Sequence, residues 1–134
     1  MEIIKENDMT LENEKRFLLL LSSYHIGKSP TKKEVLDLLI NKEWMEFSKD
    51  DLEIKKNRNE LVWRNDLAFI RKHLVQEGCF DGTIKNNWAV TQKGINYLYI
   101  LSGKVCSEKY FRKISAFALE EAKKLYNKKK ISII

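Results

Sequence analysis

The segment Asn59–Gly94, NELVWRNDLAFIRKHLVQEGCFDGTIKNNWAVTQKG, decides the fold. Its first part, through Gln76, predicts an amphipathic helix, because large apolar residues recur at the spacing of a single helical face. These residues are Trp63, Leu67, Ile70 and Leu74. Gly78 is expected to end this helix, since glycine tolerates the backbone conformation that commonly follows a last helical turn.

The second part of the segment predicts a β-hairpin. Cys79–Asp81 and Trp88–Thr91 are short runs typical of strands, and residues 82–87 between them are rich in turn formers. A helix followed directly by a hairpin is typical of a winged helix, in which the helix enters the major groove of DNA and the hairpin contacts the backbone.

Residues that lie off the apolar stripe of this helix are the candidate DNA contacts. They are Arg64, Asn65, Ala68, Arg71 and Lys72, with Lys85, Asn86 and Asn87 at the tip of the predicted wing. Asn65 is the residue best suited to a paired contact with adenine, whereas the lysines and arginines suit phosphate. The alternative interpretation is a solvated helix face that binds nothing.

The runs Asn65–Gly78 and Trp88–Gly94 resemble the N-terminal winged-helix domain of Mrr-type restriction endonucleases. The matching positions are Asn65, Leu67, Ala68, Leu74, Gly78, Trp88, Val90, Thr91 and Gly94. The resemblance covers roughly Leu18 to Leu101 and implies a DNA-reading domain of a restriction system. Asp66 stands where the family tends to have arginine, so the family's backbone contact at that position does not carry over.

Composition agrees with one mainly helical domain that has a polyanionic partner. The chain has 134 residues, of which 43% are hydrophobic, and a single proline. It carries 25 Lys and Arg against 19 Asp and Glu, a net charge of +6 that suits double-stranded DNA. Apolar runs are too short to cross a membrane, and Cys79 and Cys106 lack the spacing of a zinc site. We therefore expect a cytoplasmic protein without metal or cofactor.

The rest of the chain predicts helices around this unit. Thr10 caps a buried first helix that ends near Tyr24, and a capping box at Thr31 opens a second helix that ends near Asn41. A second box at Ser48 predicts a short helical segment through about Lys55. A helix after Thr91 ends before Ser102, and Ser107 caps a last helix that reaches about Lys129.

The predicted fold class is mainly α with a small β-hairpin, a winged helix-turn-helix with an added C-terminal helix. The predicted divisions are a flexible leader over residues 1–9, a winged-helix domain over 10–103 and an amphipathic helix over 104–134. The apolar face of that last helix is expected to pack on the domain, to pair with a second copy in a homodimer, or to dock a partner. A protein-interaction module or a transcriptional regulator is therefore the alternative function.

One pattern indicates catalysis only superficially. Asp37 with Glu53-Ile54-Lys55 matches the spacing by which many nucleases hold Mg²⁺. That chemistry needs the Glu-x-Lys run on a strand, whereas we expect Glu53 in a short helix and Asp37 on the solvent face of another. The chain is accordingly predicted to be non-catalytic.

Overall fold

A computed structural model describes residues 9–133, with side chains through residue 128. The described part contains five α-helices, one short 3₁₀ turn and one two-stranded sheet. These are α1 (Leu11–Ile26), α2 (Lys32–Asn41), the 3₁₀ turn Asp50–Leu52, β1 (Ile54–Lys55), β2 (Glu60–Leu61), α3 (Val62–Gln76), α4 (Gln92–Ser107) and α5 (Ala116–Ile133). The prediction of a mainly helical fold with a small hairpin is confirmed. The predicted leader lies outside the described residues, apart from Met9.

α1 is the central helix of the core. Thr10 caps it, accepting a hydrogen bond of 3.1 Å from the Asn13 backbone N–H, and Gly27 follows its last turn with a φ of +88°. The run from Phe17 to Leu21 is buried on every side, because α1 packs against α2, α3 and α4. The predicted buried first helix is confirmed.

α3 buries the predicted apolar stripe against α1. Trp63, Leu67, Ile70 and Leu74 are all buried. Gly78 follows the helix with a φ of +81°, a conformation that side chains disfavour, so it ends α3 as predicted. α3 begins at Val62 rather than Asn59, because the residues before it form a sheet.

The regular sheet lies before α3, which corrects the sequence prediction. Ile54 pairs with Leu61 and Lys55 pairs with Glu60 in antiparallel register, around a turn in which Asn59 has a φ of +50°. The capping box at Ser48 does form, with reciprocal bonds to Asp51, but it opens only the 3₁₀ turn Asp50–Leu52. The segment predicted to be helical through Lys55 is therefore extended from residue 53 onwards.

The predicted wing is a loop with one antiparallel bridge, between Phe80 and Val90. Two backbone hydrogen bonds flank this bridge, from Asp81 N–H to the Ala89 carbonyl at 2.9 Å and from Thr91 N–H to the Cys79 carbonyl at 3.0 Å. We call residues 79–91 the 79–91 loop.

α4 and α5 differ from their predicted bounds. α4 continues past Ser102, whose hydroxyl donates to the Leu98 carbonyl at 2.7 Å and stays within the helix. α5 begins after Ser115, which accepts a bond from the Ala118 N–H, so Ser107 is not its cap. The inner face of α5 packs on α4 and buries Ala118, Ala122 and Leu125.

The connector before α5 is fixed by a buried carboxylate of α1. Glu14 accepts hydrogen bonds from the backbone N–H groups of Arg112, Lys113 and Ile114, at 3.0, 2.8 and 3.3 Å. The Lys113 ammonium in turn forms a buried ion pair with Asp51. These contacts join the C-terminal helix to both α1 and the 3₁₀ turn.

Candidate nucleic-acid interface

The face of α3 opposite the core combines polar, basic and aromatic side chains. Asn65, Ala68, Phe69 and Lys72 recur at helical spacing on this face, and the β1–β2 turn brings Arg58 beside them. Together these residues line a cavity of about 240 Å³, which we call the α3 groove. Lys72 and Arg58 are exposed at its edge. The groove forms because the β1–β2 turn lies next to α3.

A second cavity adjoins the α3 groove on the side of α1. It has a volume of about 390 Å³ and is lined by Lys15, Lys55, Asn65, Asp66, Phe69 and Ile70. Asn65 and Phe69 border both cavities. Asp66 lies 3.6 Å from the Lys15 ammonium, so part of its negative charge is neutralised within the protein.

Arg64 is directed toward α2 and away from the α3 groove. Its guanidinium Nη1 lies 3.1 Å from the Asp37 carboxylate and stands over the Trp63 ring at 5.3 Å. A hydrogen bond from Lys33 is the main cause that lowers the pKa of Asp37 below its usual value, and the hydrogen bond from Arg64 adds to it. Together they outweigh the partial loss of hydration, which would raise this pKa. The predicted DNA contact of Arg64 stays a prediction, but the Arg64 charge is already paired with Asp37.

Arg71 braces the 79–91 loop. Its Nη2 donates to the backbone carbonyls of Asp81 and Asn87, both at 3.0 Å, and the guanidinium stands 5.3 Å from the centre of the Trp88 ring. Loss of hydration lowers the pKa of Arg71, partly offset by the charge of Asp81. Arg71 therefore holds the loop against α3, whereas the sequence suggested that it faces phosphate.

Two of the three predicted wing residues are engaged within the protein. The side-chain oxygen of Asn86, which has a φ of +59°, accepts a bond of 3.2 Å from the backbone N–H of Lys32. The Asn87 amide donates to the Asp81 carboxylate at 3.0 Å. Lys85 is exposed at the tip. The loop is thus tied to α2 and α3, and Lys85 is the tip residue that carries a charge into solvent.

The structure brings together only part of the predicted set. Asn65, Ala68 and Lys72 share the α3 groove, and sequence reasoning missed Phe69 and Arg58. Phe69 could have been found as an aromatic residue that falls off the apolar stripe of α3. Arg58 could not have been assigned without the β1–β2 turn.

The nuclease-like pattern is placed differently from its prediction. Glu53 has an extended backbone and leads directly into β1, so the Glu-x-Lys run is not helical as we expected. Asp37, however, is bonded to Lys33 and Arg64. Among residues 9–133, His, Cys, Asp and Glu form no group of three that could hold a metal ion.

Within the described part of the chain, no helix has the length and apolar character that crossing a membrane requires.

Comparisons with known proteins found no relative of this chain. No family model, no curated protein and no solved structure matches the sequence.

Proposed function

We propose that this chain is a non-catalytic, duplex DNA-binding module in which α3 enters the major groove and the 79–91 loop serves as the wing. The observation that carries this proposal is the α3 groove, where an amide and two cations border one indentation on an exposed helix face. An amide suits base edges and cations suit phosphates, so a single surface offers both kinds of contact.

The proposed contacts divide by chemistry. Asn65 meets a base edge, and adenine is the base whose major-groove pattern an amide matches. Lys72 and Arg58 flank it and bind phosphate, as does Lys85 on the 79–91 loop. Lys55, beside the second cavity, adds a further cation on the same side of the molecule. Arg71 contributes indirectly by fixing the loop that carries Lys85.

The resemblance to the reading domain of Mrr-type restriction endonucleases supports the same proposal. It suggests a restriction system as the setting, with any nuclease activity carried by a different domain or subunit. Incubation of the protein with plasmid DNA and Mg²⁺ or Mn²⁺ is expected to give no cleavage. Nicking that disappears in Glu53→Ala and in Lys55→Ala would show that this chain is itself a nuclease.

The direct experiment measures affinity for a labelled duplex by fluorescence anisotropy over a range of salt concentrations. About four phosphate contacts predict that log affinity falls with a slope of about −4 against log salt, because each contact releases condensed counterions. Lys72→Ala is expected to flatten the slope by about one unit. Absence of binding at low salt, or a slope near zero, would refute the proposal.

A protein-interaction module is the second candidate, favoured by an apolar surface on the side of α5. Ile40 and Phe117 are exposed at the rim of a cavity of about 280 Å³ that Met45 and Phe47 also line. A homodimer formed through this surface would give a concentration-dependent mass in light scattering, which Phe117→Glu would abolish. A monomeric mass at all concentrations would reject the dimer.

A further inference from the structure

Phe69 is an aromatic side chain at the centre of a polar, basic surface. Its side chain is 58% exposed, although it lies only one residue from the buried Ile70. The His73 ring contacts it edge-on, with ring centres 4.6 Å apart, which restrains the orientation of the phenyl group. An oriented aromatic ring in contact with water offers a flat apolar surface to a ligand.

The surroundings of Phe69 are indented. The α3 groove and the second cavity, of about 240 and 390 Å³, are both lined by Phe69 and Asn65. The face of α3 that would enter the major groove is indented at this point, so it also has room for a base that protrudes from the nucleic acid.

An unpaired nucleobase has the chemistry that these side chains match. Its faces are flat and stack on aromatic rings, and its edge combines hydrogen-bond donors and acceptors. Phe69 supplies the stacking surface, and Asn65 supplies one donor group and one acceptor beside it. Lys55 on one side, with Arg58 and Lys72 on the other, places cations where the flanking phosphates would lie.

We propose that the two cavities beside Phe69 form a binding site for an unpaired nucleobase of DNA, stacked on Phe69 and hydrogen-bonded by Asn65. The base comes either from a single strand or from a duplex out of which it is extruded. This inference rests on the proposed DNA-binding function and adds the structural class of the DNA that is preferred. Extrusion is easiest where a base already lacks a partner, so a duplex with one unpaired base is the sharpest probe.

The experiment compares three labelled DNAs of one sequence: a matched duplex, the same duplex with one unpaired 2-aminopurine, and the single strand. Fluorescence anisotropy gives the affinities, and 2-aminopurine emission reports whether the base stacks. The unpaired base is expected to raise affinity about tenfold over the matched duplex, and binding should quench its emission. If the single strand binds tightly as well, the bound base can come from single-stranded DNA. If only the duplex with the unpaired base binds tightly, the base is extruded from a duplex.

Three substitutions separate stacking from general attraction. Phe69→Ala should remove the preference and the quenching, and Phe69→Tyr should keep both. Tyr110→Ala is the control, since Tyr110 is an aromatic residue that is 88% exposed between α4 and α5 and lines neither cavity, so its loss should change nothing. Equal affinity for matched and unpaired DNA, or a preference that survives Phe69→Ala, overturns the inference. Salt-dependent binding of the matched duplex would still stand then, so failure of this inference is distinct from failure of the proposed function.

Discussion

Arg71→Ala is expected to destabilise the protein, because Arg71 acts as a brace within the fold. The substitution removes two hydrogen bonds of 3.0 Å to backbone carbonyls and the stacking on Trp88. One nitrogen makes both bonds, so we count them as about one charged hydrogen bond, worth about 1.5 to 3 kcal/mol. The stacking on Trp88 adds about 0.5 to 1 kcal/mol. Removing the guanidinium also removes the cost of its lost hydration, which offsets part of this loss of stability. The expected net loss is about 2 kcal/mol.

The assay is urea denaturation followed by tryptophan fluorescence, with Lys72→Ala as the matched control on the same helix. Lys72 is exposed, so its loss should change the free energy of unfolding by less than about 0.5 kcal/mol. In salt titrations with DNA, Lys72→Ala should flatten the slope by about one unit, whereas Arg71→Ala removes no direct phosphate contact and should flatten it by less. If Arg71→Ala unfolds like the parent and flattens the slope, then Arg71 binds phosphate and the brace is not what holds the loop.

Three further predictions test other contacts. Asn65→Ala should weaken binding by about 1 to 3 kcal/mol on the preferred DNA only and leave the salt slope unchanged, as competition among duplexes of different sequence will reveal. Glu77 accepts bonds of 2.9 and 2.7 Å from Arg16, which lower the pKa of Glu77. Because the pKa of Glu77 is lowered in the folded state, the Arg16–Glu77 contact stabilises the fold at neutral pH and this stability is lost on acidification. In urea unfolding, Glu77→Gln should therefore have a lower free energy of unfolding than the parent at neutral pH, and the difference should shrink as pH falls below 4.5, the ordinary glutamate value. Gly94→Ala would press a Cβ against the backbone carbonyl oxygen of Cys79 and should lower the free energy of unfolding by about 1 to 3 kcal/mol. Gly103→Ala, whose Cβ would meet only the Tyr126 ring at ordinary contact distance, should not lower it.

Features that depend on neighbouring residues were predictable from the sequence. Thr31 forms the expected capping box with Glu34, and Gly78 takes the positive φ expected after α3. Trp63, on the predicted apolar stripe of α3, is buried as expected. Such features depend on a few adjacent residues and on the apolar spacing of one helix, and both are visible in the sequence.

Features that depend on distant contacts were not predictable. Ser107 and Ser115 are equally plausible caps by residue type. Ser115 is the cap because its hydroxyl also donates to the Glu43 carbonyl at 2.6 Å, across the fold. Ser107 donates within α4, to Gly103. The β1–β2 hairpin lacked a glycine turn signal, and its position beside α3 created the groove that no helical pattern indicates.

Arginines and lysines have different roles in this fold, and the difference bears on which side chains could give DNA specificity. Arg16, Arg64 and Arg71 each hold the guanidinium over an aromatic ring, at 5.9, 5.3 and 5.3 Å, and each also bonds to another part of the protein. A planar guanidinium can stack and bond at once, which a lysine ammonium cannot do. These arginines are therefore committed to the fold, and most of the free positive charge near α3 belongs to lysines. In the proposed DNA complex these lysines would act mainly on phosphate as point charges, so we expect Asn65 and Phe69 to contribute most of the discrimination among DNAs.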